Sequence, residues 1–306
     1  FRRVLFRSTT GIGVDAWSLA DSGLTVVGFD RDVVVSAMCQ FNVPQAAIMC
    51  SDAVSPGLAL ERLPKDSALY VDPARRDKPR PINGARALPE RDPERWSPPW
   101  SFVENLTRIH PAVAAKAPGS FTPPSHWTVE WVGFGRDGVE CVAYSEGLPA
   151  LDHRRQATLI SPSGVVTLPA SDGRPPSGPV ADFVGEPHPV WRRSLEALCH
   201  NGTCCLHDGS SWITADYPYG TGIQWFRTID QLPVNQIKAA ARSRGITEVA
   251  IKCREAKADL NDLRTRIGLP DGQKFAVIVT QLPHAILAER VGLTPQDMAV
   301  RHPNDE

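Results

Sequence analysis

The chain has 306 residues, enough for two hydrophobic cores, and its 42% hydrophobic and 22% charged residues set it apart from disordered sequences. No apolar run approaches the roughly 20 residues of a membrane-spanning helix, and no signal-peptide pattern is present, so a cytoplasmic location is expected. A formal net charge of −1 provides no whole-molecule attraction to nucleic acid, and any such binding must come from local patches.

Phe1 to Ser8, FRRVLFRS, reads as the translation of a sequencing-adaptor oligonucleotide joined to a gene fragment, and is set aside as a scar. The native chain is then expected to be cut before Thr9, within its first strand, where Val4-Leu5-Phe6 is apolar enough to stand in. Thr9 to Gly13 is a glycine turn and Asp15 to Ser22 a helix, with Asp15 in the first turn, where the dipole favours an acid. The pattern predicts strands over Thr25–Phe29, Ala47–Cys50 and Ala68–Val71, and helices over Asp32–Phe41 and Phe102–Ile109. Ala112 to Ala117 is an apolar run that Pro118-Gly119 must end. Alternating strands and helices predict a parallel, Rossmann-like sheet.

Beyond Gly119, strands are predicted at Val129–Val132, Glu140–Tyr144, Gln156–Ile160 and Val165–Leu168, an antiparallel extension of that sheet. Pro169 to Pro189, rich in Pro, Gly and Ser, reads as a linker. A smaller α/β domain is expected over Val190–Thr294, with a tail to Glu306. Its expected elements are helices over Val190–Cys199, Asn235–Arg244 (closed by Gly245) and Asp259–Ile267, strands over Ile223–Thr228 and Thr247–Lys252, and a terminal hairpin of Phe275–Thr280 with Ala285–Arg290.

Seven cysteines without a repeating spacing suit a reducing compartment better than a disulfide framework. Cys199, His200, Cys204, Cys205 and His207 are metal-ligand types without a Cys-x-x-Cys pair, and are read as half-buried thiols beside a loop, with no metal site. The chemistry is expected earlier in the chain. In Thr10-Gly11-Ile12-Gly13 the missing side chains let a ligand approach backbone N–H groups at a helix start. Asp30 follows Gly11 by 19 residues, Asp52 a further 22 on and Asp72 a further 20, each near a predicted strand end. An acid about 20 residues beyond a glycine loop is placed to accept from ribose hydroxyls; the alternative is a set of solvated strand-end aspartates.

These segments resemble class I S-adenosylmethionine-dependent methyltransferases, more closely a bacterial group of these fused to a C-terminal THUMP-like domain. The resemblance rests on TTGIGVD at Thr9–Asp15, VVGFDRD at Val26–Asp32, YVDPARRD at Tyr70–Asp77, SFVENL at Ser101–Leu106, AAKAPG at Ala114–Gly119 and EWVG at Glu130–Gly133. EPHP at Glu186–Pro189 and VAIKCR at Val249–Arg254 resemble the THUMP-like part. It implies S-adenosylmethionine as cofactor, with Thr10, Gly11 and Gly13 lining its methionine end, Asp30 holding the ribose and Asp52 contacting the adenine. Asp72 and Pro73 would orient the methyl acceptor.

Where the family motif continues with a second proline and an aromatic, this chain has Ala74-Arg75, so a stacking platform would have to come from Trp96 or Trp100, unless these simply pack. The acid that the family carries two residues before the first loop threonine is here Arg7. Arg75 and Arg76 begin a basic stretch, diluted by acids, that could hold phosphates, and Lys116 is a candidate to point into the site. The resemblance implies RNA as substrate; the alternative is a non-catalytic RNA-binding or scaffold protein that keeps the fold.

Overall fold

The structure, a computed structural model, describes residues 5–8, 10–52, 64, 67–74, 90–135, 138–199 and 203–292, with only the backbone of 5–8. The chain divides into two compact units, Phe1–Val132 with Val139–Arg155, and Gly133–Gly138 with Gln156–Glu306.

In the first unit the order is β1 (Leu5–Ser8), α1 (Val14–Asp21), β2 (Val26–Asp30), α2 (Val33–Asn42), β3 (Ala47–Cys50), β4 (Ala68–Val71), α3 (Trp100–Ile109), β5 (Val113–Pro118), β6 (Thr128–Phe134) and β7 (Gly138–Tyr144). The strands lie in the order β3-β2-β1-β4-β5-β7-β6. The first five are parallel and β7 runs antiparallel to β5. Leu5 to Ser8, the segment set aside as foreign, thus occupies the central strand, paired with β2 and β4.

The first two helices have local reasons to start where they do. Gly13, in the left-handed region at φ 99°, turns the chain into α1. Asp32 caps α2 by accepting from the amides of Val34 and Val35 at 2.8 and 3.2 Å. Ala16 of α1, Val26 of β2 and Cys39 of α2 then bury together with Val43 and Ala46. The outer faces of the two helices leave Val14, Trp17, Val34, Met38 and Phe41 exposed.

The second unit contains β8 (Arg155–Ser161), β9 (Gly164–Pro169), β10 (Phe183–Pro187), α4 (Leu195–Leu198), β11 (Cys204–Cys205), β12 (Ile213–Ala215), β13 (Ile223–Leu232), α5 (Ile237–Ser243), β14 (Ala250–Cys253), α6 (Leu260–Ile267), β15 (Phe275–Val279) and β16 (Ala285–Arg290). β8 and β9 pair as an antiparallel hairpin. The other strands form a sheet in the order β11-β12-β10-β13-β16-β15-β14, antiparallel except for β14 and β15. Side chains alternate along β15 and β16. Val277, Val279, Ala285 and Leu287 pack with Ile237 and Ala241 of α5 and with Leu263 and Ile267 of α6. Ala276, Ile278, Ile286 and Ala288 face the other way, onto Val184, Trp212 and Phe226.

Two expectations are corrected. Val190 to Cys199 is not one helix: a 3-10 turn over Pro189–Arg193 breaks at Ser194, φ −131°, before the single turn of α4. The buried Trp191, whose indole N–H donates to the carbonyl of Thr221 at 2.9 Å, holds that turn inward. Phe183–Pro187, inside the stretch read as a linker, is a sheet strand between β12 and β13. Among the described residues no helix is long and apolar enough to cross a membrane.

Candidate functional site

The parallel strands of the first unit bring their carboxyl ends to one edge. Ser8 pairs with Phe29 on one side and with Val71 on the other, and Asp30 pairs with Cys50. Chain order reverses about β1, since β2 and β3 lie to one side and β4 and β5 to the other. The crevice outside such a reversal is where doubly wound sheets hold ligands. Asp30 ends β2, and Thr10, Asp52 and Asp72 follow strand ends at this edge.

Asp30 ties the edge together. Its carboxylate accepts from the amide of Gly11 at 3.2 Å through Oδ2 and from the amide of Asp32 at 3.0 Å through Oδ1. Its backbone carbonyl accepts from the Ser51 amide at 2.9 Å and the Ser36 hydroxyl at 3.2 Å. The residue is 8% exposed. Each carboxylate oxygen can accept a second hydrogen bond, so the clamp leaves acceptor capacity for a ligand hydroxyl.

The two loop glycines have different reasons. A Cβ on Gly11, φ 52°, would meet nothing within 4 Å, so the space beside it is open. On Gly13, φ 99°, it would lie 2.8 Å from Val43 Cγ2 and 3.0 Å from Cys39 Sγ, so that glycine is required by packing on α2. Gly28, not singled out from sequence, lies under the loop: a Cβ there would sit 2.5 Å from Thr10 Cγ2 and 2.8 Å from Ile48 Cδ1. A glycine inside a strand pattern is the signal for such an approach. The buried hydroxyl of Thr10 has no hydrogen-bond partner among the described residues.

Asp52 is exposed just after β3, Asp72 is half-buried just after β4, and Pro73 is buried. Lys116 stands next in register to the Ala115–Val71 pair and makes an ion pair of 2.9 Å with Glu140. Burial alone would depress its pKa, but the hydrogen bond to Glu140 and the fields of Asp72, Glu140 and Asp15 hold it above the ordinary 10.5. A cation is therefore fixed within the field of Asp72. Arg75 and Arg76 lie outside the described residues.

Trp96 and Trp100 form no exposed platform, which corrects one expectation. They are 3% and 5% exposed and pack edge-on against each other and against Phe121. Burial demands partners for indole N–H groups, and Glu104 supplies them, accepting from Trp100 at 2.9 Å and from Trp127 at 2.8 Å. Glu104 lies inside the SFVENL segment, and no sequence pattern marks it as the acceptor of these two indoles. Ala74 is bridged to Ser97 by backbone hydrogen bonds of 2.7 and 2.9 Å, which fastens the chain after Pro73 to this aromatic cluster.

In the second unit the EPHP and VAIKCR segments meet. Glu186 of β10 accepts from Lys252 at 2.6 Å and from Arg254 at 2.7 Å, and Lys252 also lies 5.7 Å from the Phe226 ring centroid. Among the described residues no group of three or more His, Cys, Asp or Glu side chains could hold a metal ion.

Residues 223–290 match the family described as THUMP domain-like. A provisionally named methyltransferase from Porphyromonas gingivalis W83 superposes with a TM-score of 0.68 at 15% identity, over 94% of this chain and 77% of that one. This chain shares the fold of that protein and contains a THUMP-like match. β13 through β16 supply the matched THUMP-like residues, and the first unit carries the Asp30 edge. A mutant DNMT2 from Spodoptera frugiperda aligns over 91% of this chain and 76% of that one at 12% identity, but its TM-score of 0.33 is too low to add to the fold assignment. No curated protein matches the chain.

Proposed function

We propose that this chain is an S-adenosylmethionine-dependent methyltransferase that transfers a methyl group to RNA. The observation that carries the reading is the clamp of Asp30 on the Gly11 amide at the point where strand order reverses. The open space beside Gly11 and the unpartnered Thr10 hydroxyl fit a polar ligand lying over the loop. The cofactor supplies an activated methyl group, so the protein's task is placement.

In this reading the loop from Thr10 to Gly13 borders the methionine end, Asp30 accepts from the ribose and Asp52 lies toward the adenine. Asp72 accepts an N–H of the acceptor and aims its lone pair, while Pro73 stiffens that turn. Lys116 stays protonated at neutral pH, so it positions rather than acts as a base. Arg75 and Arg76 hold phosphates. The THUMP-like match at residues 223–290 supports RNA as the acceptor. The backbone bridge of Ala74 to Ser97, where the family motif has a second proline and an aromatic, favours the second reading, a non-catalytic RNA-binding protein.

The test is transfer of isotopically labelled methyl groups to RNA, with calorimetric titration of the cofactor in parallel. Label in RNA that Asp72→Asn abolishes, with cofactor affinity retained, is the expected result. RNA binding without cofactor binding would move the assignment to the second reading.

A further inference from the structure

We propose that Cys199 and Cys205 are a redox-modifiable thiol pair, which a hydroperoxide converts to a disulfide joining the end of α4 to β11. Their sulfurs are 3.8 Å apart, in direct S–H···S contact. A disulfide needs about 2.0 Å, so roughly 1.8 Å of approach closes it, within reach of small side-chain rotations at a one-turn helix and a two-residue strand. Cys204 is the neighbour on the other face of the same strand. Its sulfur lies where a side chain on Gly178 would be, so strand alternation itself selects Cys205 as the partner.

The pair shares a proton unevenly. The hydrogen bond from Cys199 lowers the Cys205 pKa against burial, whereas that same bond and burial raise Cys199. Cys199 is half-buried and Cys205 is 2% exposed, so a hydroperoxide reaches the pair past Cys199 and meets the thiolate at Cys205. The Cys205 sulfur takes one peroxide oxygen, the O–O bond breaks, and the product is a sulfenic acid plus water, or an alcohol from an organic hydroperoxide. The Cys199 sulfur then attacks the Cys205 sulfur, the S–O bond breaks, and hydroxide leaves as water with the Cys199 thiol proton. Overall, two thiols are oxidised and one peroxide is reduced.

The link falls beside a cleft of about 640 Å³. Its lining includes Arg192 and Leu195, shortly before Cys199 in the chain, and Gly209, Ser210 and Ser211, shortly after Cys205. Joining the two sulfurs ties together the segments that lead into this lining.

The full chain is treated with hydrogen peroxide at neutral pH, alkylated, digested and read by mass spectrometry. The expected result is a Cys199–Cys205 linked peptide that a dithiol reductant removes. Cys204→Ser should retain the link, and Cys199→Ser, at the less buried position, should lose it while the chain stays folded by circular dichroism. Equal alkylation of both thiols before and after treatment, or a link that runs to Cys204, overturns the proposal. Hydrogen exchange of the Leu206–Ser211 amides should slow several-fold on oxidation. Unchanged exchange with the link formed overturns the coupling to the cleft.

Discussion

Asp30 and Gly11, 19 residues apart in sequence, are joined by a hydrogen bond of 3.2 Å from the Gly11 amide to the Asp30 carboxylate. That bond holds the turn after β1 against the end of β2. Asp30→Ala removes the acceptor of both the Gly11 and the Asp32 amides and, in the proposed function, the ribose partner. Cofactor affinity should fall by about 1.5–3 kcal/mol, the range for a hydrogen bond to a charged group. Isothermal titration checks this, and unchanged affinity in a folded variant would remove Asp30 from the cofactor site.

Gly11 and Gly13 should respond differently to alanine. Gly13→Ala places a Cβ 2.8 Å from Val43 Cγ2 at φ 99°, and should lower folding stability by about 2 kcal/mol from strain and overpacking together. Gly11→Ala meets open space at φ 52° and should cost about 1 kcal/mol, while weakening ligand binding more than Gly13→Ala does once stability is accounted for. Denaturant titration of the two variants gives the comparison. Equal stability losses would contradict the packing assigned to Gly13.

The Lys116–Glu140 pair gives a pH-dependent contribution with a defined sign. The folded pKa of Lys116 lies above the unfolded 10.5, so its stabilisation is fully present below about pH 10.5 and is lost as pH rises through the folded value. Wild-type stability should fall more steeply than that of Lys116→Met across this alkaline window. Parallel slopes in urea melts at stepped pH would show that the pair contributes nothing.

Glu104→Ala should be strongly destabilising. It leaves the indole N–H groups of the buried Trp100 and Trp127 without their acceptor, at about 2–4 kcal/mol for the two together. Glu104→Gln, which keeps an acceptor oxygen, should recover part of the loss. Near-ultraviolet circular dichroism during thermal melting reads the tryptophan cluster directly.

Much of the architecture was legible because it is local. Ala47–Cys50 and Ala68–Val71 are strands with the expected bounds, since such short runs are long enough for a strand and too short for a helix. Asp259 caps α6, through bonds of 2.8 and 3.0 Å to the Asn261 and Asp262 amides, and Gly268 ends it in the left-handed region. The spacing of Asp30 from Gly11 likewise placed the acid at the end of a strand, where β2 ends.

Contacts between distant segments were decided by the tertiary structure alone. Trp96 and Trp100 read equally well as a platform or as packing, and only the arrival of Phe121, with Glu104 to satisfy Trp100 and Trp127, made them core. The packing of Gly13 against Cys39 and Val43 has no sequence signal and follows from where α2 lies. The meeting of Glu186 with Lys252 and Arg254, across 66 and 68 residues, carries no local pattern at all. Sequence spacing specifies which face or strand end a residue occupies, because helix and strand periods are fixed. What lies opposite depends on how the elements pack, and that is set by burial summed over the whole chain.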